Sequence, residues 1–201
     1  EVNRFAVATV TKLNYKPAIA YDCIYPRYAI DDPALMTGLS PDQTRYVSID
    51  AINHVVEAAT TTATNPLAIS LAAETIRLVH QWLPAVLANP TDLKARHQLC
   101  YAAMQAGVAF DNGLLHFTHA LEHPLSAVSP NLSHGLGLAV LLPAVILECY
   151  PARPDVLAHI LAPMAPDLKG LPEEAPKAAK AVEQWLASVG VPQKLEDLGV
   201  T

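Results

Sequence analysis

Cysteine is scarce in this sequence. There are three, Cys23, Cys100 and Cys149, far apart and odd in number. Such a set argues against a disulfide framework and fits a reducing compartment, so the cytoplasm is the expected location. Basic charge is also short, with 13 Lys and Arg against 19 Asp and Glu and a net charge of -6. Without a basic stripe, no nucleic-acid partner is expected. No apolar run reaches bilayer-spanning length. The longest, Leu136 to Leu147, is interrupted by Pro143 and reads as a buried helix, so no membrane is expected either. A secretory signal, an H-E-x-x-H pair, a G-x-S-x-G nucleophile elbow and a Walker loop are all missing, which sets aside zincins, serine hydrolases and P-loop enzymes.

What is present is a largely apolar chain, 52% hydrophobic over 201 residues, enough for a core of ordinary size. The opening is rich in β-formers. Phe5 to Thr11 and Ala18 to Tyr21 read as strands, and Tyr28 to Pro33 as a shorter one ending in a turn. The chain starts without Met on a strand-like run, so a longer parent protein is expected. From Ser40 the sequence turns Ala- and Leu-rich. Ser40-Pro41-Asp42-Gln43 is a helix start with a capping box. Asn65-Pro66 starts a second helix. A third spans about Asp92 to Phe110 and stops near Gly113; a fourth runs from Leu114 to His123 and ends at Pro124. Ser133-His134-Gly135 opens a fifth, and two more lie near Pro154 to Ala165 and Glu173 to Val189. The fold class is therefore mainly α, a bundle of about seven helices after a short β-rich remnant.

Two clusters carry the chemistry. Asp50 and His54 stand four apart, so a helix puts carboxylate and imidazole on one face. Alone, that is an ordinary surface contact. His116, His119, His123 and His134 fall within 19 residues of a chain that has 8 His in all. They lie among Leu114, Leu115, Phe117 and Leu121. Several imidazoles on an apolar background are costly to bury unless something satisfies them. A metal ion does so, and one carboxylate with several imidazoles suits Fe2+ or Zn2+.

At this point the residues resemble the iron-containing (group III) alcohol dehydrogenases over nearly the whole chain. The pieces run in family order: Glu1 to Val7, Ala29-Ile30-Asp31-Asp32-Pro33, Asp50-Ala51-Ile52-Asn53-His54-Val55-Val56-Glu57-Ala58, Asn65-Pro66-Leu67-Ala68 and Ala106 to Phe110. Last come His119-Ala120-Leu121-Glu122-His123-Pro124-Leu125 and His134-Gly135-Leu136-Gly137. The Gly usual after His-Pro-Leu is Ser126 here, the loop before His134 is one residue longer, and Asn53 stands where Thr is common.

The resemblance implies metal ligands Asp50, His54, His119 and His134. It makes His123 the active-site histidine beside the substrate, passing a proton without binding metal, and gives His116 no role. It divides the chain into residues 1–37, the end of an α/β nucleotide-binding domain, and residues 38–201, a helical metal-binding domain continuing past Thr201. The implied activity is hydride transfer between a primary alcohol and NAD or NADP, with the metal, Fe2+ or else Zn2+, polarising the alcohol oxygen. Small-molecule alcohols or aldehydes and a homo-oligomer, dimer or larger, are the implied partners. Rival readings are a hydroxyacid–oxoacid transhydrogenase or polyol dehydrogenase of the same superfamily and, in another class, a non-catalytic helical metal-binding module.

Overall fold

A computed structural model describes residues 3–129 and 131–199. Glu1 and Val2 of the opening motif thus lie outside the described residues. The chain begins with a two-stranded antiparallel hairpin, β1 (Phe5–Val7) and β2 (Ala18–Ala20), in the register Phe5–Ala20, Ala6–Ile19 and Val7–Ala18. Seven α-helices follow among the described residues: α1 (Pro41–Thr60), α2 (Pro66–Ala88), α3 (Leu93–Gly113), α4 (Phe117–Val128), α5 (His134–Cys149), α6 (Pro154–Ile160) and α7 (Ala175–Ser188).

Local chemistry explains where the first three helices start. Ser40 Oγ accepts from the Gln43 amide at 3.1 Å, Asn65 Oδ1 from Ala68 at 3.0 Å and Asp92 Oδ1 from Ala95 at 3.0 Å. Each satisfies an amide that the helix itself leaves unpaired, and such a cap is worth about 1 kcal/mol. Pro41 and Pro66 occupy the first helical position, where a missing N–H costs nothing.

Helix α1 is the centre of the bundle. Every residue from Ser48 to Ala59 is buried except Asp50. It packs on α2 and α3 on one side and on α5 on the other, while α4 and α7 flank α5. The only partly polar helix in the middle of the core thus carries the Asp50–His54 pair.

Four expectations from sequence need correction. Tyr28 to Ile30 forms no strand. Tyr28 is 86% and Ile30 85% exposed, and no described segment runs beside them to take ladder bonds. Helix α3 continues through Gly113, and the left-handed residue that ends it is Leu114, at φ 69°. Gly113 serves close approach instead, because a Cβ there would strike the Ala58 carbonyl of α1. Helix α4 starts at Phe117 and does not stop at Pro124 but runs to Val128. Ala120, whose carbonyl loses its amide partner to the proline, is exposed, so water can replace the missing bond. Finally, helical backbone extends from His134 to Ala152, 19 residues, long and apolar enough to cross a bilayer. Half of it is buried against neighbouring helices, as suits the second core helix of the bundle.

The Gly113 contact yields a test. Gly113→Ala is expected to destabilise the fold by about 1–3 kcal/mol, the usual cost of overpacking. Gly38→Ala, where a Cβ meets nothing within 4 Å, should be nearly neutral. Urea unfolding midpoints measure both. Equal midpoints would contradict the tight α1–α3 contact.

Candidate metal centre

Three elements bring five side chains to one place. One turn of α1 supplies Asp50 and His54, α4 supplies His119 and His123, and the first residue of α5 is His134. Asp50 Oδ1 lies 3.4 Å from His54 Nε2 and 3.3 Å from His119 Nε2. Asp50 Oδ2 is 3.9 Å from His134 Nε2. The rings of His54 and His119 stack, centroids 4.6 Å apart and 12° from parallel.

These spacings fit an ion. Donors about 2.0–2.1 Å from a tetrahedral metal lie about 3.3–3.4 Å from one another. Asp50 Oδ1 and His119 Nε2 are buried and have no hydrogen-bond partner. Buried donors and acceptors are normally paired, so two such atoms facing each other mark a place for a ligand. One carboxylate and three imidazoles suit a divalent ion of the zinc or iron kind.

The back of the site explains which nitrogen faces inward. His119 Nδ1 is bound to Glu57 Oε2, and His134 Nδ1 to Glu122 Oε2. A carboxylate only accepts, so each Nδ1 carries the proton and each Nε2 is left for the centre. Both glutamates are fully buried. Glu57 Oε1 also accepts the amides of His116 at 3.1 Å and Thr118 at 2.7 Å, which fixes the start of α4 against α1. Lys16, from the turn before β2, donates to Ser126 Oγ at 2.9 Å and lies 3.5 Å from Glu122 Oε2. Gly137 lets α5 come close, since a Cβ there would lie 2.8 Å from Glu122 Cγ.

Sequence reasoning assigned no role to Glu57, Glu122 or Lys16. Glu57 and Glu122 stood inside the quoted motifs, and an acid three residues past His54 or beside His123 is the signal that was there to read. Lys16 reaches across more than a hundred residues of sequence, and nothing local announces it.

The charges reinforce one another. Burial opposes ionisation of Asp50, yet the imidazoles of His54, His119 and His134 outweigh it and hold the carboxyl far below the usual range. Burial likewise opposes a charged His119, but Asp50 and Glu57 on its two nitrogens push the ring up to about 9. His123 goes the other way. Burial first, then the Lys16 ammonium and the rings of His134 and His119, push it down to about 4. It is therefore neutral at working pH, with Nε2 buried and unpartnered.

His123 sits on the same helix as His119, ring centroids 6.0 Å apart. The turn expected at Pro124 is absent, so chain reversal does not aim it. Asp50, His54 and His119 form one grouping with metal-ligand spacing, and Glu122, His123 and His134 form a second beside it. His116 lies behind the centre: Nε2 is 2.8 Å from Thr60 Oγ1 and Nδ1 3.9 Å from Glu57 Oε1. A cavity of about 400 Å³ opens over the cluster, with Phe5, Val7, Phe110 and Leu115 among its walls.

Comparison with known proteins agrees with this architecture. Residues 44–201 match the family model "Fe-containing alcohol dehydrogenase family, C-terminal". The chain is 59% identical over its whole length to the long-chain primary alcohol dehydrogenase AdhA of Thermoanaerobacter ethanolicus, covering 50% of that protein. It is similar to the crystal structure of a 1,3-propanediol oxidoreductase, with TM-score 0.90 and 35% identity over all of this chain and 53% of that one. It also resembles the NADH-dependent butanol dehydrogenase A of Thermotoga maritima, with TM-score 0.85 and 29% identity over 99% of this chain and 51% of that one. The chain spans about half the length of the curated relatives it matches.

The raised His119 sets a pH dependence. Below about 9 the metal-free ring is doubly protonated, and an ion must displace that proton to reach Nε2. Apparent zinc affinity is expected to rise by about tenfold or more per pH unit between about 6 and 8, read by competition with a chromophoric chelator. Glu57→Gln should weaken binding about 10–100-fold at fixed pH. A flat pH profile, or full affinity in Glu57→Gln, would contradict the arrangement.

Proposed function

The chain belongs to the Fe-containing alcohol dehydrogenase family, and from that premise we propose that it is the metal-binding helical part of an NAD(P)-linked alcohol dehydrogenase. Under this reading residues 38–201 form the catalytic helical domain, and residues 1–37 are the end of the nucleotide-binding domain. The observation that carries the reading is the convergence of Asp50, His54 and His119 at ion-coordinating spacing, with His134 Nε2 3.9 Å from Asp50 Oδ2 and with Asp50 Oδ1 and His119 Nε2 buried and without a hydrogen bond.

Asp50, His54, His119 and His134 would hold the ion. Asp50 brings the negative charge, and Glu57 and Glu122 keep two of the rings turned inward. Bound there, Fe2+ or Zn2+ supplies Lewis-acid polarisation of an alcohol or aldehyde oxygen, and the nicotinamide accepts or returns the hydride. The remaining work belongs to this chain. Phe5, Val7, Phe110 and Leu115 give the alkyl part of a primary alcohol an apolar wall and exclude water from the reacting end. His123 lines the same cavity, and its buried Nε2 has no hydrogen-bond partner. Its low proton affinity lets it pass the hydroxyl proton on without storing it. A soluble cytoplasmic homo-oligomer is the expected working form.

The second grouping makes one alternative specific, His123 as a ligand alongside Glu122 and His134. Two variants in the full-length protein separate the roles. His123→Ala is expected to keep its metal and lose turnover by about 10²–10⁴-fold, the range for a lost proton-transfer group. His119→Ala should lose both metal and turnover. Residues 1–201 alone should bind one divalent ion per chain and show no NAD-dependent alcohol oxidation. Equal metal loss in both variants would make His123 a ligand, and robust turnover by residues 1–201 alone would overturn the division of labour.

A further inference from the structure

Away from the metal centre, α1, α3 and the short turn Pro33–Met36 enclose a cavity of about 100 Å³. Its walls are apolar, with Met36, Leu39, Val47, Val79 and Leu99 the largest side chains. Into this setting α3 brings Arg96, only 2% exposed. Arg96 Nε donates to the Pro90 carbonyl at 2.9 Å, and Nη1 donates to Thr44 Oγ1 at 2.9 Å. Both acceptors are neutral. Nη2 is buried and has no partner. Among the described residues no carboxylate comes within 4.0 Å of the guanidinium.

A buried cation without a counter-ion is among the costlier features a fold can carry, because water is lost and nothing replaces its charge. Nearby groups do not supply the charge. Burial, with Asp31 beside it, pushes the Cys100 thiol up to about 11, so it stays neutral. Asp31 itself is exposed. Waters in the cavity would satisfy Nη2 as a donor but leave the charge uncompensated.

We propose that this cavity is a binding site for a small aliphatic carboxylate, with Arg96 as its counter-ion and the alkyl chain against Met36, Leu39, Val47 and Leu99. The guanidinium fork matches a carboxylate in shape as well as charge, and its free Nη2 is the donor such a group needs. Size sets the class. An apolar cavity of about 150 Å³ takes a benzene ring, so about 100 Å³ takes roughly four or five heavy atoms beside the charged end. Carboxylates of about three to four carbons fit. Val47, Ser48 and Ala51 line the cavity from the same turns of α1 that carry Asp50. An occupant therefore packs against the helix that holds the metal ligand.

The test is calorimetric titration of the zinc-loaded full-length protein with butyrate and with butyramide, its uncharged counterpart. Butyrate should bind in about the millimolar range, and butyramide at least about tenfold more weakly. Two variants locate the site. Arg96→Met removes the cation and Ala103→Leu fills the cavity while leaving the cation in place. Each should weaken butyrate binding by at least about tenfold with metal content unchanged. If Arg96→Met fails to fold, Ala103→Leu still decides. No butyrate binding to the parent protein would leave only water in the cavity and overturn the proposal. Equal binding by parent and variants would put the carboxylate elsewhere, at the metal or Lys16, and would overturn it as well.

Discussion

Asp50 and three histidine rings meet inside a bundle whose other contacts are almost wholly apolar, and the cost of burying them together governs the structure around them. A carboxylate and an imidazole taken out of water must be paired, coordinated or neutralised. Here Asp50 Oδ1 and His119 Nε2 face one another with no hydrogen bond between them. The neighbouring residues read as answers to that cost. Glu57 and Glu122 take the outer nitrogens of two rings, so that the inner nitrogens are held in one orientation. Gly137 lets α5 close on Glu122 of α4, next to His123. A metal ion seated there takes the place of the proton on His119 Nε2, so ion binding and folding stability should be coupled.

Much of this was legible in the chain. Ser40 announced a helix start through the chemistry of capping, and its side chain accepts the Gln43 amide as expected; Asn65 and Asp92 marked two more starts, and both prove to be caps as well. The i,i+4 spacing of Asp50 and His54 put two donors on one face before any tertiary information. The density of His between 116 and 134 pointed to an ion because apolar neighbours offered the rings nothing else. What could not be read were the contacts between distant segments. Lys16 meets Ser126 and Glu122 from over a hundred residues away. Where local rules failed, tertiary context had overridden them. Pro124 should end a helix, but Ala120 faces water and the apolar face of α4 carries the helix on to Val128. Gly113 does end α3, but Leu114 takes the left-handed backbone and Gly113 is a contact point. Tyr28 to Ile30 has strand composition without a strand beside it.

Helix α1 gives the molecule its economy. One strip of it presents Asp50 and His54 to the candidate metal centre, and the adjoining strip presents Val47, Ser48 and Ala51 to the cavity beside Arg96. The candidate ligands come from this buried helix, α4 and α5, while the strand segment gives the cavity over them Asn3, Phe5, Ala6, Val7, Lys16 and Ala18. The cavity thus lies on the seam between the strand segment and the bundle, and the candidate ligands lie inside the bundle.

Anomalous diffraction at the metal edge, from crystals of the full-length protein grown with zinc or ferrous iron, tests the central claim most directly. The account predicts one peak per chain, about 2.0–2.3 Å from Asp50, His54 Nε2, His119 Nε2 and His134 Nε2, with His123 outside bonding distance. A peak seated instead between Glu122, His123 and His134, or none near Asp50, would contradict it.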